Sequence, residues 1–231
     1  MEQIGFLGAF DKKDLLLNIG KILTTLNKKV LIVDATFLQR SKYIIPNVSQ
    51  NGSMTYISEY QGSDVAVGFM NFNQILQYLG TSNLNYDYVF VDSDNIQTTY
   101  SFMIPNYQKN YFITSYDRYE VMKAKELFNM MNLKNKIKLK KVIYSTNVTD
   151  EQAKYLDKTL ENNNTEFDGN EIVFFDNDAD RVVILENQLL NTISFKHSTK
   201  MFKNSLTQLI IDITNKTISS NSIQSAIKMI I

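Results

Sequence analysis

Seven residues near the amino terminus, Gly8, Ala9, Phe10, Asp11, Lys12, Lys13 and Asp14, bring one glycine, two ammonium groups and two carboxylates together. They separate a short apolar run, IGFLG at 4 to 8, from an amphipathic stretch, DLLLNIGKILTTLN at 14 to 27. A glycine turn that opens a helix presents backbone N–H groups and the positive end of the helix dipole, and a lysine there suits a phosphate. The carboxylates of Asp11 and Asp14 oppose that use. Two more carboxylates close apolar runs: Asp34 ends KVLIVD (29 to 34) and Asp92 ends YDYVFVD (86 to 92). At neighbouring strand ends they would repel each other unless a cation lay between them, and Lys12 and Lys13 are the cations at hand. Three arrangements are open. An ammonium could stand where a metal ion would, making a structural ion-pair cluster. Both lysines could face solvent while the aspartates cap helices or bond loop amides. Or Gly8 and Lys12, at a helix N-terminus, could hold a phosphate or an acidic side chain without metal.

Such residues need strands to carry them. Apolar runs of strand length occur at 4 to 8, 29 to 34, 64 to 71, 86 to 92, 110 to 114, 140 to 146 and 171 to 175, with helical patterns at 14 to 27, 72 to 80, 117 to 131 and 150 to 162. Strand followed by helix, repeated, predicts an α/β fold with a mostly parallel sheet of about seven strands covered on both faces. Pro occurs only at 46 and 105 and no linker-like stretch interrupts the pattern, so residues 1–231 read as a single domain. Residues 35 to 63 read as surface loop with a short helix, and 93 to 109 suggest no function. The 231 residues, 44% apolar with 14 Phe and 13 Tyr, can fill a large core. Lys plus Arg balance Asp plus Glu at 24 each, so no overall field draws the chain to nucleic acid or an anionic surface. There is no Cys, hence no disulfide framework or thiolate metal site. With no signal-like start and no apolar run of about 18 residues, a cytoplasmic protein is expected.

The order apolar strand, glycine loop, helix with Asn18, KKVLIVDA, then YDYVFVDSD resembles the ParA/MinD family of deviant P-loop ATPases. FITSYDRYEVMKAKELF, VIYSTNV and FFDNDADRVVILENQ extend the resemblance over most of the chain. Against the family's loop, KGGxGK[ST]T, Lys12 falls on the catalytic lysine, Asp11 on the preceding glycine, Lys13 on the magnesium-binding hydroxyl and Leu7 on the lysine that marks the deviant loop. Thr36 stands at the second acid of the family's DxD, and Asp176 at its base-side residue. An alignment moved by one residue puts Lys13 and Asp14 on the lysine and hydroxyl positions, which is equally abnormal. Asp11 sets a negative charge beside an anionic ligand, Lys13 has no acceptor for Mg²⁺, and Leu7 cannot neutralise transition-state charge. The resemblance therefore implies a degenerate member, similar to TadZ, with a decayed Walker A loop. It would be a non-enzyme, a homodimeric scaffold or positioning factor for a pilus, secretion or partition apparatus, with no required cofactor or metal. Weak, Mg²⁺-doubtful binding of ATP or ADP, slow hydrolysis through Lys12, and a DNA-segregation accessory role are the alternatives.

Other features carry less. Asp176, Asp178 and Asp180 alternate as in a calcium loop, but Arg181 and Asn187 stand where its Gly and Glu belong. Lys134, Lys136, Lys138 and Lys140 would line one face of a strand, guarding a sheet edge or, less simply, meeting nucleic acid. His197, the only histidine, suggests no chemistry. A C-terminal helix at about 220–231 places Ile223, Ala226, Ile227, Ile230 and Ile231 on one apolar face, to pack on the domain, on a second subunit or, peripherally, on the inner face of the membrane.

Overall fold

The computed structural model describes residues 1–47, 54–133, 135–147 and 149–230. In chain order the elements are β1 (Glu2–Leu7), α1 (Lys13–Thr25), β2 (Val30–Asp34), β3 (Tyr56–Tyr60), β4 (Ser63–Val67), α2 (Phe72–Leu79), β5 (Tyr88–Ser93), α3 (Ile96–Ser101), β6 (Lys109–Thr114), α4 (Arg118–Met130), β7 (Ile137–Ser145), α5 (Asp150–Leu160), β8 (Thr165–Phe175), α6 (Asp178–Leu189), α7 (Lys200–Ile213) and α8 (Ser220–Met229). The strands form one sheet in the order β3-β4-β2-β5-β1-β6-β7-β8, parallel except for the antiparallel pair β3–β4. The chain is thus α/β with a mostly parallel, doubly covered sheet.

Alternation along the strands sorts the core into two layers. Ile4, Phe6, Ile32 and Phe90 face α1, α7 and α8, whereas Leu7, Leu31, Val91 and Phe112 face α2, α4 and α5. Helix starts follow the usual chemistry: Asp117 accepts the N–H groups of Tyr119 and Glu120, and Thr149 with Gln152 forms a reciprocal capping box.

The eighth strand corrects the expected count of about seven. Segment 35–63 is more ordered than a loop with a short helix: it holds a 3₁₀ turn at Arg40–Tyr43 and the edge strand β3. Tyr56, Ser58 and Tyr60 are the inward residues of β3, and the Ser in that row breaks the apolar signal. Gln61 and Gly62, both with positive φ (55° and 94°), make the tight turn into β4. Residues 48–53 lie outside the described set.

The lysine row also departs from expectation. β7 is interior, paired with both β6 and β8, so its lysines guard no edge. Lys138 is exposed, but Lys140 turns inward to Asp212, 2.7 Å away, with Asp168 at 3.8 Å. Tyr111 donates to the same Asp212 carboxylate at 2.6 Å, and the Lys109 ammonium reaches its backbone carbonyl. Lys136 is exposed outside the strand, and Lys134 lies outside the described residues. Among the described residues, Lys136, Lys138 and Lys140 do not form a continuous basic face.

The tail's apolar face is likewise engaged. Ile223, Ala226, Ile227 and Ile230 are buried against α1 and α7, and the Phe195 N–H donates to the Ile230 carbonyl at 3.1 Å. These residues belong to the core and offer no surface to a membrane or a second subunit; Ile231 lies outside the described residues. No helix among the described residues is long and apolar enough to cross a membrane. Ile223→Ala should lower unfolding free energy by about 2–5 kcal/mol in denaturant titration. A tail that worked as a membrane anchor would instead leave stability unchanged and lose liposome binding.

Candidate functional site

The loop after β1 enters α1 through Gly8, whose φ of +123° and whose closeness to the Ile113 carbonyl, 2.3 Å from where a Cβ would lie, exclude any other residue without rearrangement. Beyond it the chain curls over the Lys12 side chain. The Lys12 ammonium donates to the carbonyls of Gly8 (2.5 Å) and Phe10 (3.0 Å) and lies 2.9 Å from Asp92 Oδ1, so that Lys12 is only 1% exposed. The two carbonyls take two of the ammonium's donors, and Asp92 stands against it as a charged neighbour without a well-aligned hydrogen bond.

Asp11 completes the arrangement from outside. Its Oδ1 accepts the backbone N–H of Lys13, the first residue of α1, at 3.3 Å. Its Oδ2 receives Lys13 Nζ at 2.8 Å and Arg40 at 3.0 Å. Lys13 also reaches Asp14 at 3.0 Å, and Asp14 accepts from Gln188 at 2.8 Å. A carboxylate of the chain itself therefore sits at the helix N-terminus where an external anion would bind. Burial would raise the Asp11 carboxyl, but the hydrogen bond and charge of Lys13, with Arg40, hold it below the usual range.

Asp34 and Asp92 stand side by side at the ends of β2 and β5, in register. They do not share a lysine. Asp34 is satisfied locally: Thr36 donates its hydroxyl (2.6 Å) and N–H (3.2 Å) to Oδ1, and Ser41 its N–H (2.9 Å) to Oδ2. Thr36 thus turns the second acid of a DxD pattern into a donor for the first. Asp92 has Lys12. Burial pushes the Asp92 carboxyl up to about 8, with Lys12 pulling it down and Asp34 adding to the rise. Lys13 lies outside this pair, so the loop is two linked clusters rather than one.

Asp176 follows β8, its N–H bonded to the Ser145 carbonyl and its carboxylate exposed. The cap of α6 is Asn177, which accepts the Asp180 N–H at 2.9 Å. Asp180 is buried and accepts the Thr199 N–H and hydroxyl, both at 2.7 Å, so the three alternating aspartates do not converge. No cluster of metal-ligating side chains occurs among the described residues. His197 is an exposed residue before α7. Two participants gave no sequence signal: Arg40, since nothing in its neighbourhood marks it as Asp11's partner, and Phe10, whose ring stacks on Tyr144 at 4.5 Å.

The loop leaves little open space around these residues. The space among Lys12, Asp34 and Asp92 is about 40 Å³, room for no more than a few water molecules. Lys12 is held inside its own loop, the Asp11 carboxylate occupies the N-terminus of α1, and Lys13 brings no acceptor that could ligate a metal ion.

No family model matches the sequence, and no curated protein does. Solved structures match almost throughout. MinD of Pyrococcus horikoshii, solved with Mg-ADP, is 12% identical at a TM-score of 0.58, covering 95% of this chain and 98% of that one. The MinC:MinD complex of Aquifex aeolicus gives 17% and 0.56, over 94% and 95% of the two chains. A ParA family ATPase of Chlorobium tepidum TLS gives 13% and 0.54, over 91% and 96%. At these identities the likeness is one of fold: the chain has the ParA/MinD architecture.

Lys12→Met should destabilise the protein by about 1–3 kcal/mol in denaturant titration, because it strips a buried acid and two carbonyls of their donor. A lysine kept for an external phosphate would cost almost nothing when removed. The folded Asp92 carboxyl keeps its proton up to about pH 8, whereas the unfolded one releases it near 3.8. Its contribution to stability is therefore full below about pH 4 and lost as pH rises through 8. Melting temperature should fall across that window in the native chain and be flatter in Asp92→Asn.

Proposed function

We propose that this chain is a ParA/MinD-like protein that neither needs nor hydrolyses nucleotide, and that it serves as a scaffold or positioning factor through self-association and partner binding at the loop face. The observation that carries the reading is the loop's own occupancy: Asp11 at the helix N-terminus and Lys12 enclosed by Gly8, Phe10 and Asp92. Nucleotide would have to displace a tethered carboxylate and free an ammonium from two carbonyls and the Asp92 carboxyl. A slow ATPase working through Lys12 faces the same cost before any chemistry begins.

The loop face also offers surface for a protein. Phe37 is 84% exposed and Tyr43 79%, with Leu38 half exposed between them, all in the segment that follows β2 beside Asp11. Apolar side chains grouped on one face suit a protein interface. The MinD structure from Aquifex aeolicus is a complex with MinC, and association with a second copy or a protein partner is the use proposed here. The apparatus served would be a pilus, secretion or partition assembly.

Titration calorimetry with ATP and ADP, with and without Mg²⁺, should give no saturable heat at millimolar nucleotide, and sedimentation should show an association state indifferent to nucleotide. Saturable ATP binding abolished by Lys12→Met would overturn the proposal.

A further inference from the structure

Beside the loop, beyond the carboxyl ends of β1, β6, β7 and β8, lies a cleft of about 380 Å³. One wall is aromatic: Phe10 stacks on Tyr144, and Tyr144 on Phe174 with centroids 4.9 Å apart and rings 10° from parallel. The charges around it are unequal. Asp11, Asp14, Asp176 and Asp180 line the cleft against one cation, Arg181. Asp11 and Asp14 share Lys13, and Asp180 is bonded to Thr199. The exposed Asp176 carboxylate has no hydrogen bond or ion pair among the described residues. Burial, then the charges of Asp14 and Asp176, push the Tyr144 hydroxyl well above its usual range, so it faces the cleft as a neutral group.

Lys13 and Arg40 offset Asp11 and Asp14, and the excess negative charge that remains, centred on the unpaired Asp176, disfavours phosphate and attracts a cation. A flat aromatic wall with an acidic rim suits a planar guanidinium on an aliphatic stem better than a compact ammonium. The source is indicated by α6, which forms one side of the cleft through Arg181 and Ile184. On its next face it exposes Val182, Leu185 and Leu189, the last 81% exposed, with Leu190 just beyond its end. An apolar stripe beside an acidic cleft matches a basic, amphipathic protein segment.

We propose that this cleft receives an arginine side chain of a protein partner, whose apolar residues lie along the α6 stripe. The inference rests on the partner-binding reading above and names the partner's chemistry.

The test uses the full chain and follows amide NMR shifts during titration with agmatine, a guanidinium on a short stem. A blocked amphipathic Leu/Arg helical peptide and AMP are titrated in parallel. Agmatine should give saturable shifts around Tyr144 and Asp176, weakened about three- to tenfold by Asp176→Asn and strengthened by Arg181→Gln. The peptide should bind more tightly than agmatine, and Leu185→Ser should remove that gain while leaving agmatine binding unchanged. AMP saturating the cleft with the opposite response, weaker in Arg181→Gln and stronger in Asp176→Asn, would overturn the proposal in favour of an anion. So would the absence of any saturable agmatine shift, or a peptide affinity indifferent to Leu185→Ser. ATP binding lost in Lys12→Met would defeat the pseudo-ATPase reading whatever agmatine does; silence from both ligands would defeat this inference alone.

Discussion

The contact between Lys12 and Asp92 is the constraint around which the loop is built. An ammonium buried to 1% exposure is tolerable only if it has polar partners, since an isolated charge out of water costs many kcal/mol. The Gly8 and Phe10 carbonyls and the Asp92 carboxyl are those partners, and each comes from a different place: the glycine turn, the loop crest and the end of β5. To bring the three together, Gly8 must take its positive φ and β1 must lie beside β5. The adjacency is supplied by the sheet order, the turn by the glycine.

The strand ends and the loop carboxylate then follow a common logic. Asp34 and Asp92 are neighbours by register, and two bare carboxylates there would oppose folding. The chain resolves this with donors and burial rather than a metal: Thr36 and Ser41 bond Asp34, while Asp92 is drawn toward its neutral form. Asp11, set at the positive end of α1 and flanked by Lys13 and Arg40, is held ionised. Asp11 and Asp92, far apart in sequence but lining the same small space, are tuned in opposite directions by what surrounds each of them.

Much of the architecture was legible because buried parallel strands have a strong signature. KVLIVD and YDYVFVD are continuous apolar runs ending in an acid, and each became a central strand with its Asp at the end of β2 or near the end of β5. β3 was hidden because Ser58 sits in its inward row, and β8 extends to Thr165 through polar residues that no apolar period marks. For the site, residue types were visible but directions were not. Nothing in the string Asp-Lys-Lys-Asp says that Lys12 turns inward while Lys13 turns to Asp11 and Asp14, nor that Arg40, 29 residues on, closes over the outside. Lys140 gave the same difficulty: an alternating lysine row reads as solvated until Asp212 of a helix 72 residues later is brought under it.

The fold and the chemistry of its loop are separable, and the energetics of tethering explain how. A carboxylate attached to the loop competes for the helix N-terminus as an intramolecular ligand, at an effective concentration that no diffusing phosphate need match. An anion arriving from solution would have to displace Asp11 before it could favour one conformation over another, and a ligand without differential affinity shifts no equilibrium. In the reading proposed above, a partner would therefore act on other surfaces: the exposed aromatic group after β2 and the acidic cleft flanked by α6.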